Sequence, residues 1–155
     1  MNWIIQHTEK LEFHTDLKEL LKPILADIKD FTWVISDFDF IGNKSLPINY
    51  ERDFFVLSSD EFGEILNSEM QLIWGVVSGF PKDKEIIIEE NDLPYSEGND
   101  LIWKNENFQL QNSVIEIIEF DSFYSIIKFR DEKTSYEFKK HFDEAIELEK
   151  FIYKE

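Results

Sequence analysis

Two aspartates at the end of an apolar segment are the residues whose spacing best suits chemistry. Asp37 and Asp39 follow the segment Val34–Ser36 and are separated by one residue. Because alternate residues of a β-strand point to the same face, both carboxylates can lie side by side. Two carboxylates placed in this way can hold a magnesium ion beside a phosphoryl group. The pair therefore predicts, as one alternative, a metal-dependent hydrolase or phosphatase.

The spacing of these aspartates resembles that of the nucleophile and the acid in haloacid-dehalogenase-type phosphatases. Those enzymes carry Thr or Val two residues after the second aspartate, whereas Ile41 stands there in this chain. No adjacent acid pair follows later in a parallel β/α context, and a short motif without its context predicts little. We therefore favour solvated acids at a strand end, where Asp37 and Asp39 are also available to a protein partner.

Other signatures of catalysis and of metal binding are missing from the sequence. His7, His14 and His141 do not have the spacing of zinc ligands, and the chain has no cysteine. With five glycines there is little material for a phosphate-binding loop, and no Gly-x-Ser-x-Gly motif occurs. We expect no catalytic residue, no metal and no cofactor, and hence a protein that is not an enzyme.

The most negative stretch of the chain covers residues 83–106. It contains eight acidic residues and two lysines, which gives a formal charge of −6. A negative patch attracts a basic partner and raises the association rate, and Tyr and Trp are frequent anchors of interfaces. The alternative is a solvated loop whose aromatic residues pack into the core. We predict a partner-binding surface that consists of Asp37, Asp39, Glu89, Glu90, Asp92, Tyr95, Glu97, Asp100 and Trp103.

The composition limits the class of protein. The 155 residues include 33 acidic and 16 basic residues, and the resulting charge of −17 excludes binding to nucleic-acid phosphates by bulk electrostatics. Hydrophobic residues make up 43% of the chain, which is too much for an acidic disordered tail. The N-terminus lacks the features of a secretory signal, and no apolar run approaches the roughly 20 residues of a membrane helix. We expect a folded cytoplasmic protein that does not bind nucleic acid directly or enter a membrane.

Helical periodicity and cap signals predict an N-terminal and a middle helix. An apolar stripe predicts a helix over residues 16–30 with Thr15 as its N-cap. Pro23 lies within this stripe and predicts a kink or a restart, because proline removes a helical hydrogen bond. The capping-box spacing of Ser58 and Glu61 predicts a short helix to about residue 68.

The remaining segments predict strands and a C-terminal helix. Thr134 and Glu137 repeat the capping-box spacing and predict a helix that reaches the chain end. Apolar or alternating runs predict strands over residues 31–40, 53–57, 70–80, 84–89, 113–120 and 123–130. Residues 89–106 read as a long loop, interrupted by Leu101–Trp103.

This order of elements predicts an α+β fold. Because the later strands follow one another without crossover helices, we expect a mostly antiparallel sheet packed with an N-terminal helix, a short middle helix and a C-terminal helix. Residues 1–80 carry a charge of −8 and residues 81–155 carry −9, so neither half is a detachable acidic tail, and we predict a single acidic domain over 1–155. The predicted core consists of Leu17, Leu21, Ile24, Trp33, Ile35, Phe55, Ile73, Trp74, Val76, Ile117, Ile127, Phe138 and Phe142.

Three short segments carry a family resemblance. Lys22–Ile24, Phe31–Val34 and Leu72–Phe80 resemble segments of small acidic immunity proteins from bacterial polymorphic-toxin and contact-dependent inhibition systems. The resemblance covers about residues 16–81. It implies a cytoplasmic protein that binds and blocks one toxin domain, often a basic nuclease, and that performs no chemistry. The chain from Lys82 onward lies outside the resemblance, so the role of the acidic stretch rests on its charge.

Three functions are consistent with the sequence. The first is an immunity protein that neutralises a cognate toxin domain, and it accounts for the charge, the size and the missing catalytic motifs. The second is the metal-dependent hydrolase with Asp37 and Asp39. The third is an acidic nucleic-acid mimic that serves as an adaptor for a DNA-binding protein. We expect the first.

Overall fold

The fold is built on one antiparallel sheet. The computed structural model describes residues 1–6, 8–13, 15–42 and 45–151, and in this part of the chain seven strands pair in the order β3-β2-β4-β5-β6-β1-β7. All of these pairs are antiparallel. The strands are β1 (Trp3–Ile5), β2 (Thr32–Ile41), β3 (Phe54–Leu57), β4 (Gln71–Phe80), β5 (Ile115–Phe120), β6 (Tyr124–Phe129) and β7 (Ile146–Glu147). An antiparallel sheet with separate helices confirms the predicted α+β class.

The helices occur in three regions of the chain. They are α1 (Leu17–Leu21), α2 (Leu25–Ile28), α3 (Ser59–Leu66) and α4 (Glu132–His141), and short 3₁₀ turns cover Lys22–Ile24, Asp100–Trp103 and Leu148–Lys150. Pro23 separates α1 from α2, as predicted, because its nitrogen cannot donate a hydrogen bond. The predicted capping box of α3 is also confirmed, since Ser58 and Glu61 exchange hydrogen bonds between side chain and backbone.

Two predicted helix caps were wrong. Asp16 caps α1, because its carboxylate accepts a hydrogen bond from an amide of the first turn. Thr15 has a φ of 62°, and its hydroxyl donates to the carbonyl of Leu72 on β4 instead. Asp131 caps α4, since its carboxylate accepts hydrogen bonds from the amide and the hydroxyl of Thr134. In both helices a carboxylate one to three residues from the predicted cap is the better acceptor.

The predicted C-terminal helix ends early. α4 stops at His141, and Phe142 has a non-helical backbone and a buried side chain. The chain then forms β7, where Ile146 pairs with Ile4 of β1. The prediction was wrong because β7 is held by pairing with β1, which is distant in sequence. The local helical periodicity contains no information about this pairing. Residues 152–155, the predicted end of the helix, lie outside the described residues.

Residues 84–89, all of them described, form no strand, so the strand predicted there was wrong. Ile86 and Ile88 are half-buried and pack against Val34 and Phe80, whereas Ile87 is exposed. The alternation of isoleucines therefore reflects packing onto the sheet and not strand pairing.

The sheet has a helix side and a loop side. On the helix side, one large core cluster joins the helices to the sheet, with Trp33, Ile117 and Phe138 among its fully buried members. On the loop side, the connection from β4 to β5, residues 81–114, covers smaller clusters around Ile118 and Val34. We call this connection the covering loop. Eleven of the thirteen predicted core residues are buried; Ile73 and Trp74 are only half-buried and correct that prediction.

Candidate functional site

A β-bulge in β2 decides where the two aspartates point. The register between β2 and β4 shifts between Ser36 and Asp39, and Asp37 has a φ of 51°. One extra residue in a strand moves the following side chains to the opposite faces. Phe38 and Phe40 therefore pack against the core on the helix side. Simple alternation along β2 would instead place both aspartates on the face of Trp33 and Ile35 and the two phenylalanines on the opposite face.

Asp37 holds the covering loop against β2. Its Oδ2 accepts a hydrogen bond from the amide of Ser96 at 2.7 Å and another from the Ser96 hydroxyl at 2.6 Å. The adjacent Ser36 hydroxyl donates to the carbonyl of Pro94 at 2.8 Å. Ser36 and Ser96 are buried and Asp37 is half-buried, so these hydrogen bonds are partly shielded from water. Asp37 is a positioning residue for the segment Leu93–Glu97.

Further hydrogen bonds inside the covering loop fix the same segment. The side chain of Gln109 accepts a hydrogen bond from the Tyr95 amide at 3.0 Å. The side-chain amide of Asn99 donates to the Tyr95 carbonyl at 2.9 Å and to Gln109 at 3.0 Å. Both backbone groups of Tyr95 are thus bonded, while its side chain is 47% exposed. The loop presents this ring on a fixed backbone.

The bulge and the loop enclose a cleft of about 580 Å³. β3 pairs only with the first half of β2, Trp33–Ser36, and the cleft lies beside the second half of β2. We call it the acidic cleft, and its lining residues are Asp37–Phe40, Tyr50, Arg52, Asp53, Phe55, Trp74, Leu93–Tyr95 and Glu97. The structure therefore brings together Asp37, Asp39, Tyr95 and Glu97, four of the predicted site residues that lie far apart in sequence.

The acidic cleft combines aromatic rings with carboxylates. Its aromatic lining includes Phe40 and Tyr50, whose rings stack with centroids 6.1 Å apart, and Tyr50 is 61% exposed. Four carboxylates lie around these rings, and Arg52 is the one cation among the lining residues. The arrangement offers apolar surface and negative charge at the same place.

A second cleft of about 320 Å³ continues from the first. We call it the side cleft; it shares Arg52, Asp53 and Leu93 with the acidic cleft and adds Glu51, Phe54, Glu90 and Asn91. Of the predicted site residues, Glu90 therefore also belongs to this continuous groove. Glu89, Asp92 and Asp100 are exposed but line neither cleft.

Trp103 is placed differently from Tyr95. It is half-buried, and its ring lies 5.3 Å from that of Phe120 and is stacked on that of Phe151 at 6.0 Å. These contacts belong to a core cluster on the loop side. They favour the interpretation of Trp103 as a packing residue over that of an interfacial anchor.

Beneath the covering loop lies a buried ion pair that sequence reasoning missed. Lys128 Nζ is 3.4 Å from Glu116 Oε1, and both side chains are fully buried. The amide of Gln109 donates to Glu116 at 2.7 Å, and Lys128 donates to the carbonyl of Asn107 at 2.8 Å. Burial raises the pKa of Glu116 against the opposing charge of Lys128, and burial lowers the pKa of Lys128. The cross-strand alignment of Glu116 with Lys128 in the predicted hairpin was the available signal.

The described residues contain no group of three or more His, Asp or Glu arranged to hold a metal ion. His141 is exposed at the end of α4, while His7 and His14 lie outside the described residues. Asp37, one of the two residues of the hydrolase alternative, accepts both of its hydrogen bonds from Ser96 through a single oxygen.

Comparisons with known proteins give no relative for this chain. No family model matches it, and no curated protein or solved structure is significantly similar to it. In the part of the chain that is described, no helix is both long and apolar enough to cross a membrane.

Proposed function

We propose that the chain is a cytoplasmic immunity protein, which binds a cognate bacterial toxin domain with a basic surface and neutralises it without catalysis. A nuclease is the toxin class that best fits such a surface, because a nuclease binds the phosphates of its substrate with cationic side chains. The observation that carries the proposal is the acidic cleft, where carboxylates and aromatic rings from β2, from the segment before β3 and from the covering loop meet.

The charge of the whole chain supports the same proposal. A formal charge of −17 creates a field that accelerates encounter with a cationic partner. Glu89 and Asp92 are exposed beside Glu90 and extend the negative surface beyond the side cleft. Such charges raise the association rate, whereas the aromatic rings of the cleft supply contacts that slow dissociation.

The proposal is tested with a candidate toxin, namely any basic protein domain that is encoded by a gene next to this one in the native genome. The intact chain should restore growth of cells that express the toxin and should bind it in a calorimetric titration. The variant Asp39→Asn/Asp53→Asn/Glu97→Gln should bind at least about tenfold more weakly, mainly through slower association at low salt. Glu64→Gln/Glu132→Gln/Asp60→Asn is the matched control, because it also removes three carboxylates and all three are exposed on helices at the other side of the sheet.

Three outcomes decide between the functions. Failure of the intact chain to bind and to protect would overturn the immunity proposal. Magnesium-dependent phosphatase turnover that is lost in Asp37→Asn would instead establish the hydrolase alternative. Binding to a cellular DNA-binding protein without protection against a toxin would favour the adaptor.

A further inference from the structure

We infer that the acidic cleft binds an arginine side chain. This arginine belongs to an extended segment of a protein partner. The inference rests on the proposed function for the identity of the partner, which is the toxin. The recognition chemistry follows from the lining of the cleft alone, and it can be tested without the toxin.

The aromatic lining favours a flat cation. Phe38, Phe40, Tyr50 and Tyr95 all line the cleft, and the outer two of these rings, those of the tyrosines, are exposed. A guanidinium group stacks on aromatic faces and is more weakly hydrated than an ammonium group. A lysine side chain would lose more hydration in the same place. The rings therefore select arginine over lysine.

The carboxylates of the cleft are available for such a cation. Asp39, Asp53 and Glu97 are exposed, and among the described residues none of them forms an ion pair. Asp37 differs, because its carboxylate already binds Ser96. Arginine can form two parallel hydrogen bonds with one carboxylate, which adds geometric selection to the attraction.

The shape of the groove favours an extended segment. The acidic cleft and the side cleft measure about 580 and 320 Å³, respectively, and they share Arg52, Asp53 and Leu93. Because the two clefts share these residues they are adjacent, and alternate side chains of one extended segment, which point to the same side with a period of two residues, can each enter one cleft. Glu51 and Glu90 supply negative charge at the far end. A second arginine two residues from the first fits this end.

Arg52 allows a test in which removing a charge should strengthen the binding of a cation. It lines both clefts and is exposed, and no ion pair joins it to the surrounding carboxylates in the described residues. Its guanidinium group therefore repels a cation that enters the groove. Removing this charge should strengthen the binding of a basic probe, whereas removal of a carboxylate should weaken it.

The test uses three blocked peptides of the form acetyl-Gly-X-Gly-X-Gly-amide, in which X is arginine, lysine or citrulline. Each is titrated at low ionic strength into the full-length, ¹⁵N-labelled chain, and amide shifts are followed by NMR. We expect the arginine peptide to shift amides of residues 37–40, 50–55, 93 and 95–97. It should bind about threefold or more tightly than the lysine peptide, as cation–π contacts imply, and citrulline should give no saturable shift.

Variants of the chain locate the binding. Asp39→Asn/Asp53→Asn should weaken the arginine peptide at least about fivefold, and Tyr50→Ala/Tyr95→Ala about threefold. Arg52→Gln should tighten binding about twofold or more by removing a like charge, while Glu64→Gln/Glu132→Gln should leave it unchanged. Unchanged spectra away from the substituted residues show that each variant is folded. Equal binding of arginine and lysine, binding of citrulline, or shifts outside the groove would overturn the inference.

The two proposals fail separately. If the arginine peptide binds the groove but the chain does not neutralise the toxin, only the immunity function is wrong. If the chain neutralises the toxin while the groove variants leave both peptide and toxin binding unchanged, only the arginine site is wrong.

Discussion

Two buried carboxylates on β5 show how differently the sheet is covered on its two sides. Glu116 faces the covering loop, whereas Glu119, three residues later, faces the helices and is aligned with Ser125 of β6. Glu116 accepts a hydrogen bond from the amide of Gln109 through Oε2, and its Oε1 forms an ion pair with Lys128 but accepts no hydrogen bond in the described residues. Glu119 accepts a hydrogen bond from the Ser125 hydroxyl at 2.5 Å, and its Oε1 has no hydrogen-bond partner within the described part of the chain.

The environments of these carboxylates explain their protonation. Burial raises the pKa of both, but on the loop side Lys128 opposes the shift. On the helix side, burial raises the pKa of Glu119 to about 8 despite the hydrogen bond from Ser125, and the charge of Asp16 adds to the rise. On the helix side, Glu119 is therefore mostly in the neutral form at neutral pH and is surrounded by apolar side chains. The loop side instead uses charge and directed hydrogen bonds, and these bonds set the position of the loop that forms the cleft.

The largest effect should follow from breaking the ion pair under the loop. Lys128→Met leaves Glu116 buried without its cation, and we expect a loss of about 3–5 kcal/mol in the free energy of unfolding at neutral pH. Urea denaturation measures this loss. The double variant Glu116→Leu/Lys128→Met should recover most of it, because no uncompensated charge remains.

A surface pair serves as the control for this experiment. Lys82 lies 3.5 Å from Asp30, and both side chains are largely exposed. Lys82→Met should leave the denaturation midpoint unchanged, since exposed pairs contribute little. A similar loss in both lysine variants would show that the charge of the chain, and not the buried contact, determines the effect.

The acid on the helix side should make stability depend on pH. The folded pKa of Glu119 is about 8 against 4.5 for the free side chain, so the unfolded chain releases this proton at a lower pH than the folded chain does. The favourable contribution is complete below about pH 4.5 and is lost as the pH rises to about 8. Between pH 4.5 and pH 7 we expect a loss of roughly 3 kcal/mol from this group.

Denaturation at a series of pH values measures this dependence. Glu119→Gln removes the titrating proton but keeps a polar group beside Ser125, so its unfolding free energy should fall less over the same range. Glu64→Gln, with an exposed carboxylate, should follow the intact chain. Identical profiles for all three proteins would contradict the prediction.

A smaller effect should separate packing from binding on the loop side. Truncation of a fully buried aromatic residue costs about 3–5 kcal/mol, so the half-buried Trp103 should lose about 2 kcal/mol in Trp103→Ala. Tyr95→Ala should leave thermal unfolding unchanged, because this ring is exposed. An unchanged Tm for Trp103→Ala together with faster dissociation from the toxin would restore Trp103 as an interfacial anchor.

The parts of the fold that could be predicted depend on neighbours in sequence. The capping box of Ser58 and Glu61, the break at Pro23 and the hairpin of β5 and β6 each rest on residues a few positions apart, and each was confirmed. β7 could not be predicted, because its partner β1 lies at the other end of the chain. Local periodicity therefore extended α4 into a segment that is held by long-range pairing.

The candidate site could be predicted in its residues but not in its geometry. The charge of the acidic stretch and the spacing of Asp37 and Asp39 identified residues that share the cleft. The bulge could not be predicted, since Asp37 adopts a positive φ without a glycine to mark the position. The hydrogen bonds of Asp37 with Ser96 depend on a loop that returns to β2 after 59 residues, which no local pattern shows.

The smallest effect should come from the contact that joins the two parts of the cleft. In Asp37→Asn an amide oxygen replaces the charged acceptor of the two Ser96 hydrogen bonds, and asparagine tolerates the positive φ. We therefore expect a loss of about 1 kcal/mol, the difference between a charged and a neutral acceptor. Asp39→Asn on the same strand is the matched control, because the Asp39 side chain is exposed and its carboxylate accepts no hydrogen bond from the described residues. Hydrogen exchange of the Ser96 amide should be faster in Asp37→Asn than in Asp39→Asn. Equal exchange in the two variants would mean that other contacts of the covering loop hold Leu93–Glu97 in place. Asp37 would then join Asp39, Asp53 and Glu97 as a carboxylate that is free to bind a partner.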